Sequence, residues 1–154
     1  MVKPKMNKVE RQVRDMLGEE DFGAIDEAIK AFEKKTSGEI VVSFQLVCKE
    51  DPYKGGRRVF KRLKLHRTRD RNAVLVVIFI HSRKFAVLGD KGINEKVPDG
   101  FWDETSASMA GHFKEGRFRE GLVEGINLLG GQLMTYFPYR EDDTDELSDE
   151  VDFG

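Results

Sequence analysis

The feature that most constrains the fold is a run of eight consecutive apolar residues, 73–80, with the sequence Ala-Val-Leu-Val-Val-Ile-Phe-Ile. A bilayer-spanning helix needs about 20 such residues, so this run is too short to cross a membrane. A strand with no polar side chain on either face is typical of the centre of a sheet that is covered on both faces. The chain is therefore predicted to be an α/β protein with helices on both faces of a central sheet.

Two further segments are predicted to be strands of the same sheet. Residues 39–47 are rich in β-branched side chains, and residues 84–88 follow the central strand after only His81-Ser82-Arg83. That short connection predicts an antiparallel hairpin. A basic helical segment joins the first strand to the central one, as expected for a crossover between parallel strands. The predicted sheet is therefore mixed.

Apolar residues at helical spacing predict the helices. One helix is expected to begin at Asp21 as its N-cap and to end before Thr36-Ser37-Gly38. A second is expected from Phe101 to Phe113. The longest is expected over residues 117–137 and is stopped by Pro138. A chain of 154 residues fits one domain, which we place at residues 21–138, with a polar, helical leading segment over 1–20 and an acidic tail over 139–154.

The net charge of −2 conceals an asymmetry along the chain. Residues 141–154 carry eight acidic side chains and no basic one, whereas residues 54–71 carry nine Lys or Arg and one Asp. This pattern indicates either a face that binds polyanions or a tail that lies over that face. The tail has too few apolar residues to fold alone and is predicted to be mobile.

The single cysteine, Cys48, cannot form an internal disulfide, and the first residues carry no apolar stretch of the secretory type. Both features favour the cytoplasm. The histidines lack the spacing of a zinc site, and the glycines lack the pattern of a phosphate-binding P-loop.

The strand directions place a candidate site at one edge of the sheet. If the first and central strands are parallel and the third is antiparallel, the starts of the first two meet the end of the third. Residues 37–39, 70–72 and 89–90 then converge. Their oxygen ligands suit Ca²⁺ or Mg²⁺, and the predicted metal ligands are Asp90, Asp70, Asn72 and Glu39. Each also has a structural interpretation: Asp90 as a turn or helix cap, Glu39 as an exposed strand end, Asn72 as a loop cap.

Several motifs in this order resemble the TPM domain family. They are Thr36-Ser-Gly-Glu-Ile40, Thr68-x-x-Arg71-Asn72 before an apolar strand, Arg83-Lys84, Gly89-Asp-Lys-Gly-Ile93, Phe101-Trp102 and Phe113-Lys-Glu-Gly-x-x-x-Glu-Gly-Leu122. The resemblance covers about residues 21–138 and implies a three-layer α/β/α sandwich. In the family, some plant members are described as acid phosphatases, calcium binding is associated with the domain, and many bacterial members have no assigned activity.

Two functions follow as hypotheses. The first is a binding module that holds a divalent cation at the sheet edge and engages a protein or a phosphorylated ligand. The alternative is a metal-assisted acid phosphatase in which Asp90 and Asp70 hold the cation and Arg71 neutralises the transferring phosphoryl group. Nucleic-acid binding through residues 54–71 is least favoured, because only Tyr53 and Phe60 supply aromatic rings there.

Overall fold

The computed structural model describes residues 6–140 and 151–154. These residues contain a mixed sheet in the order β3-β2-β1-β4. Its strands are β1 (Glu39–Gln45), β2 (Ala73–Phe79), β3 (Lys84–Gly89) and β4 (Val151–Asp152). Strand β1 is parallel to β2 and to β4, and β3 is antiparallel to β2. The predicted α/β class and mixed sheet are thus confirmed.

Helices cover both faces of the sheet, because the side chains of β1 and β2 alternate between two apolar clusters. The larger cluster joins one strand face to α1 (Lys8–Lys30), α4 (Phe101–Lys114) and α5 (Phe118–Tyr136). The smaller cluster joins the other face to α2 (Pro52–Arg62) and to the 3₁₀ turn Leu65–Arg67. A short helix, α3 (Lys91–Asn94), follows β3. This is the predicted α/β/α sandwich.

The first helix differs from its predicted bounds. The helical leading segment begins after Asn7, whose side chain accepts a hydrogen bond from the Glu10 N–H at 2.8 Å. The predicted cap at Asp21 is wrong, because the helix resumes directly after Gly18 and Asp21 lies inside it. A left-handed Gly18 (φ +79°) breaks α1 into two helical segments. The leading segment packs onto the domain through the buried Val13. Because of that break, α5, with 19 residues, is the longest uninterrupted helix in the described part of the chain.

The prediction of a mobile tail is wrong for residues 151–154. Two of them form β4, which pairs with β1 through Val42↔Val151 and Ser43↔Asp152. Asp152 also forms an ion pair with Arg62, which belongs to the basic segment 54–71. The remainder of the acidic tail, residues 141–150, lies outside the described residues.

Within residues 6–140 and 151–154, no helix combines the length and the apolar character that a membrane span requires.

Candidate functional site

The register of the sheet brings the predicted segments to one edge. Glu39 pairs with Ala73 in the parallel ladder, and Val74 pairs with Gly89 in the antiparallel ladder. The Asp90 N–H donates to the Ala73 carbonyl at 2.9 Å. The start of β1, the start of β2 and the end of β3 therefore lie side by side, and the predicted convergence is confirmed.

The centre of this edge is a two-pronged ion pair between Arg71 and Asp90. The Arg71 Nε donates to Asp90 Oδ2 at 2.7 Å and its Nη2 donates to Oδ1 at 2.9 Å. The Asp90 residue is only 6% exposed. These hydrogen bonds, and then the attraction between the two charges, raise the pKa of Arg71 above its ordinary value. The Arg71 guanidinium therefore keeps its positive charge throughout the ordinary pH range, and its paired N–H groups suit a carboxylate partner.

Asp90 has a second, structural role. Its Oδ1 accepts a hydrogen bond from the Lys91 N–H at 2.8 Å and so caps α3. Arg71 is held in the left-handed region (φ +51°), and its carbonyl accepts the Gly92 N–H at 2.7 Å. The turn before β2 and the first turn of α3 are thereby locked together, and this lock positions the Arg71 side chain against Asp90.

The other predicted residues lie at the same edge but in different surroundings. The Asp70 carboxylate faces Arg140 at 3.1 Å and Arg69 at 3.6 Å. Glu39 is 8% exposed, so the interpretation of an exposed strand end is wrong. Asn72 is 1% exposed, and its Oδ1 accepts no hydrogen bond from any described residue. Arg71 is thus paired with Asp90, whereas Asp70 forms its ion pairs with Arg140 and Arg69.

These contacts bear on the predicted cation site. Both oxygens of Asp90 already accept hydrogen bonds from cationic or backbone donors, so a cation there would have to displace Arg71. The described residues contain no group of three or more Asp, Glu, His or Cys side chains that could hold a metal ion. As folded, the four predicted ligands do not form a ready-made cage. The Ca²⁺ or Mg²⁺ site stays a prediction.

A groove of about 720 Å³ opens beside the Arg71–Asp90 pair. One wall is a face of α2, where Tyr53, Arg57, Phe60 and Lys61 follow at spacings of four, three and one residues, which places them on the same side of a helix. The opposite walls come from the end of β3, from His66 and from Trp102. We call this space, with these lining residues, the α2 groove.

The α2 groove carries an excess of positive charge. Arg57, Lys61 and His66 form no ion pair with any residue that the structure describes. The charge of Asp90 is balanced by Arg71, so Asp103 is the one lining carboxylate without such a partner in the described regions. Neighbouring cations repel one another, and an anion bound between them relieves that repulsion.

Aromatic rings complete the groove. The Trp102 Nε1 donates to Asn94 Oδ1 at 2.9 Å, and the indole packs edge-on against Phe101 at 5.2 Å between ring centroids. The ring also lies over the end of β3, because a Cβ on Gly89 would come within 2.4 Å of it. Trp102 is therefore fixed from two sides and forms a rigid wall of the groove.

The α2 groove does not follow from the charge pattern of residues 54–71 when the segment is taken as a whole, because the groove depends on one face of α2. The signal was available in the spacing of Tyr53, Arg57, Phe60 and Lys61, which puts two cations and two rings on one side of α2.

The fold and this edge define a small α/β/α domain with a cationic, aromatic-walled groove at the end of its sheet. The chain belongs to the TPM domain family, whose model matches residues 11–132. Its sequence matches no curated protein.

Two solved structures are similar to the chain. The BA42 protein from the psychrophilic bacterium Bizionia argentinensis, solved by NMR, is 40% identical, with a TM-score of 0.80 over 90% of this chain and 95% of that one. The N-terminal domain of a protein from P. gingivalis is 17% identical, with a TM-score of 0.65 over 82% of each chain. The second likeness concerns the fold alone.

Proposed function

We propose that this TPM domain is a binding module whose α2 groove takes a phosphorylated ligand with a flat ring. The observation that supports this most strongly is the lining of the groove. Three side chains that carry or can acquire positive charge, Arg57, Lys61 and His66, have no acidic partner among the described residues and lie beside aromatic walls. A phosphate and a ring would satisfy both features at once.

The chemistry of the lining favours phosphate over a simple carboxylate. A phosphate offers several acceptor oxygens to donors that approach from different directions, and arginine binds such groups through paired N–H bonds. Arg57 and Lys61 approach from α2, and Arg71 approaches from the turn before β2. The Arg71 side chain is held by Asp90 and therefore loses little freedom when a ligand binds.

The alternative, a phosphatase, has one observation in its favour. His66 lines the same groove as Arg71, so an imidazole that can transfer a proton lies beside the cations that would hold a phosphoryl group. The groove supplies no Ser or Cys nucleophile from its lining residues. Hydrolysis would thus require an activated water molecule or a phosphoryl transfer to His66 or Asp103. Neither side chain is oriented by a hydrogen bond to a described residue, and for this reason we place binding first.

Replacing Arg57 by Glu is expected to weaken binding of an aryl phosphate by at least about tenfold, because a cation of the groove becomes an anion. The probe is p-nitrophenyl phosphate, with inorganic phosphate as the ring-free comparison. Chemical shifts of the groove amides report binding of both compounds. Quenching of Trp102, the only tryptophan in the chain, gives a second readout.

Arg58→Glu is the matched control. Arg58 adjoins Arg57 in sequence and gives the same change of net charge, but it pairs with Glu50 and does not line the α2 groove. We expect this variant to bind within about threefold of the wild type. Equal weakening by both variants would mean that only net charge matters and would refute the groove. If the wild type releases p-nitrophenol and His66→Gln does not, the phosphatase hypothesis is correct and the binding-module hypothesis is wrong.

The divalent cation enters this proposal as a partner of the ligand. Since Asp90 is occupied by Arg71, the protein alone offers few free oxygens, whereas a bound phosphate supplies more beside Asp103. Ca²⁺ or Mg²⁺ alone is therefore expected to leave the melting temperature within about 1 °C of that in chelator. With the aryl phosphate present, either cation should raise it further than the phosphate alone does.

Asp103→Asn is the variant that checks the cation, and Asp99→Asn is its exposed control outside the groove. If Ca²⁺ without phosphate raises the melting temperature, and Asp90→Asn abolishes that rise, the protein itself holds the cation through Asp90, Asp70, Asn72 and Glu39. If the cation raises the melting temperature no further when phosphate is present, the cation is not a partner of the ligand.

A further inference from the structure

The last four residues of the chain lie along the outer edge of β1, away from β2. Val151 and Asp152 pair with Val42 and Ser43 as a short parallel strand. An exposed strand edge carries unpaired N–H and C=O groups and is a template for another strand. Here residues 151–154 cover the edge, and three consecutive residues are each held by a different interaction.

The carboxylate of Asp152 is the most closely surrounded group of the segment. Its Oδ2 accepts hydrogen bonds from Ser43 Oγ at 2.7 Å, from Arg62 Nη2 at 2.7 Å and from Gln45 Nε2 at 3.3 Å. The Gly154 N–H adds an internal contact at 3.2 Å. The side chain is only 12% exposed. The body of the domain thus presents converging donors for one carboxylate at the sheet edge.

The next residue, Phe153, is held by aromatic contacts. Its ring stacks against Phe22 and Phe44, with centroids 6.0 and 5.9 Å away. Its carbonyl accepts a hydrogen bond from Asn7 Nδ2 at 3.0 Å. Val151 packs against the same large apolar cluster as Phe153. The receiving surface therefore combines the edge of β1, helix α1 with its cap and the end of α2, and it holds Val151, Asp152 and Phe153.

We propose that this edge is a peptide-binding site, and that residues 151–154 are its resident occupant. The external ligand is an extended segment of another protein with the same order of apolar residue, Asp and Phe, which adds to the sheet as a strand. Two observations support this. The receiving residues lie within, or just before, the residues 11–132 that match the family, whereas the occupant lies well beyond them. The occupant joins the domain through residues 141–150, which are rich in acidic residues.

The connection explains why the chain's own end holds the site. A covalent connection of ten residues keeps the occupant beside the edge at an effective concentration on the order of millimolar. A free peptide with micromolar intrinsic affinity is then outcompeted in the wild-type protein. Exchange requires a ligand of higher affinity or a change that weakens the resident strand.

The test uses the full chain with the double substitution Asp152→Asn and Phe153→Ala, which we call the released variant. The probe is a fluorescent peptide of residues 149–154, Asp-Glu-Val-Asp-Phe-Gly, followed by anisotropy. We expect it to bind the released variant at least about tenfold more tightly than the wild type. A peptide with Asn in place of the second Asp, which corresponds to Asp152, should bind the released variant at least about tenfold more weakly.

A receptor-side substitution separates specific recognition from charge. In the released variant that also carries Arg62→Gln, the Asp and Asn peptides should bind within about threefold of each other, because the cationic donor has been removed. The matched control is Arg58→Gln, which keeps the preference for Asp. Equal binding of the peptide to the wild type and the released variant, or no saturable binding, would overturn the proposal.

Folding and self-association are checked in the same samples. Thermal unfolding and the amide spectrum of β2 report whether the released variant keeps its core. If it does not, the single variant Phe153→Ala replaces it, with the same tenfold expectation and the same overturning result. A dimer that forms with increasing wild-type concentration would assign the site to the end of a second copy and would contradict a separate partner.

Discussion

Gly92→Ala is expected to destabilise the fold by at least about 3 kcal/mol, the upper range for overpacking. A Cβ at this position would lie 2.0 Å from the Asp70 carbonyl oxygen and 2.7 Å from that of Arg71. Both obstacles are backbone atoms, so no side chain can rotate away. The Gly92 N–H also donates to Arg71 at 2.7 Å, and that bond would be lost as α3 moved outward.

Chemical denaturation measures this loss, and Gly111→Ala in α4 is the matched control. An added Cβ at Gly111 meets no heavy atom within 4 Å. Alanine is the better helix former, so this variant is expected to gain up to about 1 kcal/mol. If Gly92→Ala were as stable as the wild type, the close approach of α3 to the turn before β2 would be refuted.

The sheet edge is the part of the site that the sequence predicts best. The apolar run 73–80 places β2 at the centre, and the long basic crossover and the short hairpin fix the directions of its neighbours. Once those directions are set, Glu39, Asn72 and Asp90 must meet at one edge. No side-chain geometry is needed for that step, and the register confirms it.

The chemistry at the edge depends on features that a sequence does not display. Asp90 can cap a helix, hold a cation or pair with an arginine, and its type and position suit all three. The left-handed conformation of Arg71 selects the third role, because it directs the guanidinium to Asp90. A bulky residue adopts that conformation rarely, so propensity predicts against it.

Strand β4 could not be predicted from the sequence, and the reason is different. Two residues of strand within an acidic tail give no periodicity, and their partner in β1 lies more than a hundred residues earlier. The contacts that hold the segment are the Asp152 carboxylate with Ser43 and Arg62 and the Phe153 ring with Phe44. They become visible only when the fold brings both ends of the chain together.

Phe44→Ala is expected to cost about 3–5 kcal/mol of unfolding free energy, the range for removing a buried aromatic side chain. Phe44 is 0% exposed and belongs to the large cluster between the sheet and α1, α4 and α5. Removing its ring leaves a cavity at the centre of that layer. It also removes one of the two rings that hold Phe153.

The comparison with Phe153→Ala distinguishes these two contributions. Phe153 is half-buried at the edge, so its removal should cost only about 1–2 kcal/mol. The double variant should lose about 0.5–1.5 kcal/mol less stability than the sum of the two single-variant losses, because the stacked pair can be removed only once. Urea denaturation of the four proteins measures this coupling. Strict additivity would show that the end of the chain does not rest on Phe44 in solution, and the peptide site at β1 would lose its aromatic pocket.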